Sequence, residues 1–303
     1  MGVGRGYGKL LLFGEHAAVY GHPAVGLRLD DYLEVELETP AARSSEGVQW
    51  QWPEFSENEL AIVRRAVEAL PHPPGGGRLD VRGTLPTSVG FGSSAAFCTA
   101  LIRAHLGADA LPPEELWALA HELEHHFHGT PSGIDTGLSV YPGASAIHPK
   151  PPGLPRREQI TLPAMTLLVG AIQRTSSTAE LVAGIRRARE TDATRVEQTL
   201  ARLGELARAV SRPGTDAPSV GEAADEAQHH LAALGLSTPA LDALLETLHA
   251  HGALGAKLSG AGGGGAFFGV FENTGRAEAA EAALRRRAEE LSVPVIYQRT
   301  LTL

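Results

Sequence analysis

Hydrophobic and polar positions follow two different periods along the chain, and both periods recur in its two halves. Continuous apolar runs or strict alternation, as at Leu33, Val35 and Leu37, predict strands. The predicted strands cover residues 7–16, 24–27, 32–38, 79–85, 164–172, 266–271 and 294–301. Apolar positions three and four residues apart predict helices at 58–70, 93–104, 113–128, 179–190, 193–210 and 276–291, with two more between 220 and 251. Strands and helices that intermix in this way predict an α+β (mixed α/β) fold.

The domain organisation follows from the length and from one proline-rich segment. A chain of 303 residues suggests two domains. Prolines cluster between Pro149 and Pro155, which predicts an N-terminal domain over residues 1–155 and a C-terminal domain over 156–303. Residues 40–53 are predicted to form an irregular segment.

The charge and the cysteine content narrow the function classes. The formal net charge of −9 argues against broad nucleic-acid binding, which needs a basic face, and leaves nucleotide binding open. No apolar run is long enough for a membrane span, and the N-terminus lacks the layout of a signal peptide. Cys98, the single cysteine, is predicted to be a buried structural thiol. We therefore expect a cytoplasmic protein with no nucleic-acid and no membrane partner.

The stretch from Pro86 to Ala96 is a glycine-bearing loop that runs into the helix predicted to begin near Ser93. Gly90 and Gly92 would let an anion approach the backbone, and the first amides of a helix carry free donors at the positive end of its dipole. These features predict a phosphate-binding loop. It is not the P-loop pattern, because no Gly-Lys-Ser/Thr follows at the required spacing. Taken alone, the stretch also fits a glycine turn before a buried helix of small residues.

Three stretches together resemble the motifs of the GHMP kinase superfamily, which includes galactokinase, homoserine kinase, mevalonate kinase and phosphomevalonate kinase. Residues 86–96 resemble the second motif, Pro-x-x-x-Gly-Leu-Gly-Ser-Ser-Ala-Ala, with Phe91 in place of the usual leucine. Residues 257–265 resemble the third motif. Residues 8–16, with Gly21, resemble the first motif as mevalonate kinases carry it, although Tyr7 stands where a proline is common.

Two further segments are similar to mevalonate kinases within that superfamily. Residues 128–135 resemble the segment His-Gly-x-Pro-Ser-Gly-x-Asp, and residues 175–182 resemble a Ser-Thr-x-x-Leu-Val element. The resemblance implies a two-domain GHMP architecture, with an N-terminal domain like domain 2 of ribosomal protein S5 and a ferredoxin-like C-terminal domain. It also implies ATP and Mg²⁺ as cofactors, and transfer of the γ-phosphoryl group to the terminal hydroxyl of mevalonate in isoprenoid biosynthesis. A homodimer is compatible with this family.

The site roles that the resemblance implies fall on matching positions of this chain. Asp135 would be the general base for the substrate hydroxyl, and Lys9 would keep it ionised. Ser94 and Glu124 would bind the magnesium ion. The substrate would contact Glu15, His16, Ser132, Gly133 and Asp135. The nucleotide would contact Pro86, Val89, Gly90, Phe91, Gly92, Ser93, Ser94 and Ala95.

Structural alternatives stay open for several of these residues. Lys9 also fits an edge-strand charge that reaches water, Glu124 a solvated helix residue at the flank of an apolar stripe, and His16 a turn residue. The glycines at 260–265 also fit a tight connection between strands. The functional alternatives are a kinase for phosphomevalonate, for the mevalonate 3-hydroxyl or for a sugar, and a catalytically silent nucleotide-binding sensor.

A second motif competes on one predicted helix. Residues 121–125 match His-Glu-x-x-His, the helical zinc signature of metalloproteases. With Leu119 and Leu123 towards the core, His121 and His125 are expected on the outward side, whereas a catalytic zinc pair points into a cleft. The sequence therefore favours a solvated histidine-rich face over a zinc protease.

Overall fold

The computed structural model describes residues 1–39, 57–128, 130–150 and 153–303, so the irregular segment predicted at 40–53 lies outside the described residues. Five antiparallel strands form the first sheet, in the order β1-β2-β4-β5, with β3 paired to the C-terminal part of β2. These strands are β1 (Gly2–Phe13), β2 (Ala24–Glu38), β3 (Arg78–Gly83), β4 (Ala144–His148) and β5 (Arg156–Ile160).

A single long strand, β2, replaces the two strands predicted at 24–27 and 32–38. The polar residues between those stretches stay in the strand because β2 pairs with β1 on both sides of them, for example at Leu10–Leu27 and Tyr7–Tyr32. A register shift between Tyr7 and Lys9 takes up the extra residues of β2. Lys9 therefore lies directly after an irregularity of its strand.

Among the described residues, four α-helices accompany this sheet, namely α1 (Glu57–Glu68), α2 (Ser93–Leu106), α3 (Pro113–Glu124) and α4 (Ile134–Val140), and a short 3-10 helix spans Ala17–Tyr20. The sequence analysis did not predict helix α4. The helix is short and buried along most of its length, so its sequence shows no amphipathic period. Helix α3 ends at Glu124, and the extension predicted to residue 128 is wrong. His125, His126 and Phe127 instead donate to carbonyls three residues back, which tightens the chain into turns.

Glycines bring β1 and α2 unusually close. A Cβ added at Gly4 or at Gly6 would overlap the carbonyl oxygens of Ala100 and Ala96 in α2. The close approach places the first turn of α2 beside the part of β1 that carries Lys9. Cys98 lies on this helix and is fully buried, as predicted, and burial raises the pKa of its thiol well above the ordinary value.

The second half forms a four-stranded antiparallel sheet in the order β7-β8-β6-β9. Its strands are β6 (Thr166–Ile172), β7 (Gly255–Leu258), β8 (Gly265–Phe271) and β9 (Val295–Thr302). Its helices are α5 (Thr178–Thr191), α6 (Ala193–Val210), α7 (Ala217–Ala233), α8 (Pro239–Ala250) and α9 (Thr274–Glu290). Both β6 and β8 are buried along their whole length, which matches their continuous apolar sequence.

Two sheets with flanking helices confirm the predicted α+β class. The division between residues 155 and 156 stays a prediction. The pairing of β5 with β4 carries the first sheet to Ile160, five residues beyond Pro155. Among the described residues, no helix is both long enough and apolar enough to cross a bilayer.

Candidate active site

The loop from Leu85 to Gly92 leads to the N-terminus of α2, where an anion could bind. Its beginning is held on β2, where the amides of Thr84 and Leu85 both donate to the carbonyl of Tyr32. Its end is Gly92, which has φ 71°, stands directly before α2 and provides no side-chain cap. An uncapped helix N-terminus is a ready site for phosphate oxygens.

Three side chains of the predicted nucleotide-binding stretch turn inward. Val89, Phe91 and Ala95 are buried, and Pro86 is half-buried. The partly exposed atoms at the start of α2 belong to Gly90, Gly92, Ser93 and Ser94. The backbone, the hydroxyls of Ser93 and Ser94, and the exposed side chains of Thr87 and Ser88 are therefore what this stretch offers to a ligand.

Lys9 and Asp135 form an ion pair beside this helix terminus, with Lys9 Nζ 3.2 Å from Asp135 Oδ1. The Lys9 side chain is 4% exposed and the Asp135 side chain 37% exposed, so the pair opens to solvent on the carboxylate side. Lys9 Nζ also donates to the carbonyl of Gly90 at 3.0 Å. A Cβ on Gly92 would lie 2.9 Å from Lys9 Cγ, which makes glycine necessary there in addition to its positive φ. The two residues that the sequence analysis named as base and cation are thus neighbours, while their catalytic roles stay predictions.

The segment before Asp135 fixes the start of α4. Gly133 precedes the helix with φ 75°, and its carbonyl accepts hydrogen bonds from Trp117 Nε1 (2.9 Å) and Thr136 Oγ1 (3.2 Å). Ser132 is exposed, and its hydroxyl accepts from the amide of Ile134 at 3.4 Å. Asp135 therefore stands in the first turn of a helix whose origin is held by buried hydrogen bonds.

Glu124 is a buried carboxyl group beside the start of α2. It is 2% exposed, so it is neither solvated nor at a half-open flank as the helical wheel suggested. Ser94 Oγ donates to Glu124 Oε1 at 3.4 Å and lies 3.2 Å from His128 Nε2. Burial, and secondly the negative charge of Asp135, raise the pKa of Glu124 to about 8, while Lys9 and the Ser94 hydrogen bond oppose the shift.

The donors at Ser94 and Glu124 fit a hard divalent cation. A hydroxyl and a carboxyl group offer oxygen ligands, and Mg²⁺ in nucleotide enzymes is commonly bound by one or two protein carboxylates together with phosphates and water. The raised pKa of Glu124 is consistent with a carboxyl group that a cation would ionise. The two residues predicted as magnesium ligands therefore lie together, and their metal binding stays a prediction.

Glu15 and His16, in the N-terminal half, contact residues of the third GHMP motif (257–265) in the C-terminal half. Glu15 is completely buried, and its Oε1 accepts from Lys257 Nζ, which is also completely buried. Burial raises the pKa of Glu15 and lowers that of Lys257, and the pairing opposes both shifts. His16 has φ 57°, and its Nε2 lies 2.9 Å from the carbonyl of Ala261. Substrate contact by Glu15 and His16 stays a prediction.

The glycines of the third motif pack against the phosphate-binding loop. A Cβ on Gly265 would lie 2.9 Å from the carbonyl oxygen of Val89, and a Cβ on Gly90 would lie 3.5 Å from the Ala266 side chain. Ser259 Oγ donates to the carbonyl of Leu11 on β1 at 2.8 Å. The second half of the chain therefore contributes backbone directly to the site.

Arg174 is a site residue that the sequence analysis missed. It follows β6, it is half-buried, and burial lowers the pKa of its guanidinium. Its Nη1 donates to Thr178 Oγ1 at 3.2 Å, while its Nη2 is buried without a hydrogen-bond partner among the described residues. Its charge also lowers the pKa of His16, after burial, which is the larger cause. The available signal was a lone cation placed directly between a buried strand and the segment at 175–182.

The two histidines of the competing zinc signature differ in exposure, and only one of them lies where the sequence predicted. His125 is exposed, as predicted, and its ring lies 5.2 Å from that of His121. His121 is half-buried, and its Nδ1 is buried close to Gly133, so the outward placement predicted for this residue is wrong. The cause is the packing of α3 against α4, which covers the side of α3 that carries His121.

Comparisons with known proteins support the same family over most of the chain. The family described as GHMP kinases N terminal domain matches residues 61–143, and GHMP kinases C terminal matches residues 198–290. The mevalonate kinase of Thermococcus onnurineus is 32% identical over 293 residues, covering 86% of each chain. That of Archaeoglobus fulgidus is 31% identical over 275 residues, covering 88% of this chain and 90% of the relative.

Solved structures share the fold. The L. major mevalonate kinase in complex with R-mevalonate superposes with a TM-score of 0.80 at 24% identity, covering 99% of this chain and 96% of that one. The Methanococcus jannaschii mevalonate kinase gives a TM-score of 0.76 at 22% identity, covering 99% and 98%. This chain therefore belongs to the GHMP kinases, ATP-dependent enzymes that phosphorylate an alcohol, and within them it is most similar to the mevalonate kinases.

Proposed function

We propose that this protein transfers the γ-phosphoryl group of ATP to the terminal hydroxyl of mevalonate, giving 5-phosphomevalonate in isoprenoid biosynthesis. The observation that carries the proposal is the Lys9–Asp135 pair, 3.2 Å apart, beside the uncapped start of α2. The curated relatives above are named mevalonate kinases, which supports mevalonate as the acceptor.

The residues of this site can perform the two tasks of phosphoryl transfer, which are positioning and charge stabilisation. The free amides at the start of α2 would bind phosphate oxygens. Asp135 would accept the proton of the attacking hydroxyl, and Lys9, 3.2 Å away, would hold the carboxylate in position beside the loop. Because Lys9 is also bonded to the carbonyl of Gly90, its charge stays at the junction of the phosphate loop and the base.

Ser94 and Glu124 would hold the magnesium ion, which neutralises charge on the phosphate oxygens when bound. Glu124 would release its proton on binding a cation, since a nearby positive charge favours the carboxylate. Below about pH 8 Glu124 is therefore mostly neutral without a ligand, and it would contribute a full negative charge when the cation is bound.

Arg174 and His16 are proposed to bind the carboxylate of mevalonate. A guanidinium presents paired donors that match a carboxylate, and Arg174 Nη2 has a donor position that no described residue fills. Burial lowers the pKa of His16, so this residue would act as a neutral hydrogen-bonding group. A single half-buried guanidinium suits an acceptor with one carboxylate.

The test is ADP release with ATP and magnesium in the presence of mevalonate, phosphomevalonate, galactose or homoserine, with the product position determined by NMR. Turnover with mevalonate and phosphate on its terminal hydroxyl is expected. Turnover only with another acceptor, or a product with phosphate on the 3-hydroxyl, would refute the terminal hydroxyl of mevalonate as the acceptor. It would leave the kinase activity itself standing. Nucleotide binding without any turnover would favour the sensor alternative. The homodimer and the cytoplasmic location stay predictions, and sedimentation velocity tests the first of them.

A further inference from the structure

The last strand of the second sheet reaches across to the first sheet through two side chains. Tyr297 Oη donates to Asp31 Oδ2 at 2.7 Å, and Arg299 Nη1 donates to the same oxygen at 2.7 Å. Asp31 is a nearly buried residue of β2. Its neighbour Tyr32 accepts the two amide hydrogen bonds that hold the beginning of the phosphate-binding loop. Strand β9 is therefore anchored next to the point where that loop leaves the sheet.

Tyr297 also contacts the loop itself. Its ring lies edge-on to the ring of Phe91, with the centroids 4.7 Å apart and the planes at 60°. Phe91 is 1% exposed and stands where the related motif carries leucine. An edge-to-face contact needs two rings, so a chain with leucine at this position could not make it.

The backbone of Phe91 is bonded to Lys9, so its position affects the geometry around the Lys9–Asp135 pair. Its carbonyl accepts from the amide of Lys9 at 2.9 Å, while the preceding carbonyl, of Gly90, accepts from Lys9 Nζ. The following residue, Gly92, is packed against the Lys9 side chain and stands directly before α2. A displacement of Phe91 would therefore move both the free amides of α2 and the acceptors that hold Lys9.

We propose that Tyr297 is a positioning residue that holds the phosphate-binding loop in its nucleotide-binding conformation through Phe91, and that Asp31 and Arg299 hold Tyr297. A loop already in its bound conformation loses less entropy when the ligand binds. The inference rests on the proposed function only for the statement that the loop binds nucleotide. It does not depend on which alcohol is phosphorylated.

The experiment is a calorimetric titration of the protein with the ATP analogue AMPPNP and magnesium. Tyr297→Leu and Phe91→Leu should each weaken binding about 2- to 12-fold, the range that corresponds to an aromatic pair. The double variant should bind no more weakly than either single variant, because both substitutions remove the same contact. Tyr297→Phe keeps the ring and loses only the hydrogen bond to Asp31, so it should weaken binding less than Tyr297→Leu does.

The matched control is Ile296→Ala, on the same strand but with a side chain that is 42% exposed. It should bind the nucleotide as wild type does. In the ADP-release assay, Tyr297→Leu should raise the KM for ATP and leave the KM for mevalonate unchanged. A general loss of folded structure would instead affect both constants and lower the melting temperature.

Three results would overturn the inference: wild-type affinity in Tyr297→Leu, additive losses in the double variant, or equal losses in Ile296→Ala. If Tyr297→Leu does not fold, Phe91→Leu decides, because it changes only the loop side of the contact. The titration needs no acceptor alcohol. Wild type that binds AMPPNP but does not phosphorylate mevalonate would thus refute the proposed function and leave this inference standing.

Discussion

Replacing Glu124 with glutamine should stabilise the metal-free protein at alkaline pH while it removes activity. Glu124 is buried beside Asp135, and the hydrogen bond from Ser94 and the charge of Lys9 do not compensate its burial. Glutamine has nearly the same shape and carries no charge. The substitution therefore separates what this carboxyl group costs the fold from what it contributes to the site.

The magnitude follows from proton linkage. Glu124 has an ordinary pKa of 4.5, which the folded environment raises to about 8. Between these two values the folded state keeps a proton that the unfolded state has released, so stability falls as the pH rises from 4.5 to about 8 and is constant above. At 1.36 kcal/mol for each tenfold change in proton affinity, the loss approaches about 5 kcal/mol. Glu124→Gln should recover most of it.

The assay is urea unfolding in a chelating buffer at several pH values between 4.5 and 9. Wild type and variant should have similar unfolding free energies at the acid end, and the variant should be more stable by several kcal/mol at the alkaline end. Glu122→Gln, an exposed position on the same helix, is the matched control and should follow the wild-type profile. Parallel profiles for wild type and Glu124→Gln would refute the reasoning.

A second arm of the same experiment adds magnesium and AMPPNP. A ligand at 100 times its dissociation constant stabilises the folded state by about 2.7 kcal/mol. Wild type should gain this stabilisation with magnesium present, and Glu124→Gln should gain much less of the magnesium-dependent part. An equal gain in both proteins would contradict the metal role of Glu124.

Three further predictions address the remaining groups of the site. Asp135→Asn should lower kcat by about 10²- to 10⁴-fold while AMPPNP binding persists; near-normal turnover would show that Asp135 is not the base. Arg174→Leu should raise the KM for mevalonate by about 10- to 150-fold, equivalent to a charged hydrogen bond, with little change in the KM for ATP; the reverse pattern would contradict the carboxylate role. Lys257→Met should destabilise the fold by about 3–5 kcal/mol because it leaves Glu15 buried and unpaired, and adding Glu15→Leu should restore much of the loss in urea unfolding; additive losses would argue against the pair.

The sequence by itself determined the class of the protein and the position of its motifs. Glycines at 90 and 92 mark the loop because both have a positive φ, and at Gly92 a Cβ would also meet the Lys9 side chain. The periods of the longer helices are also local properties, and α6 begins and ends at the residues predicted from them. Such features depend on neighbours along the chain and can be recognised without the fold.

The tertiary structure decided which groups meet and how deeply they are buried. Lys9 and Asp135 are far apart in sequence, and only the packing of α4 near β1 makes them an ion pair. Burial of Glu124, which raises its pKa, results from the packing of α3 and cannot be read from a helical wheel. The same holds for Glu15 with Lys257, and for Phe91 with Tyr297, because each contact joins a loop or turn of the N-terminal half to a strand of the second sheet. Long-range packing sets distance and desolvation, and these two quantities control the chemistry of the site.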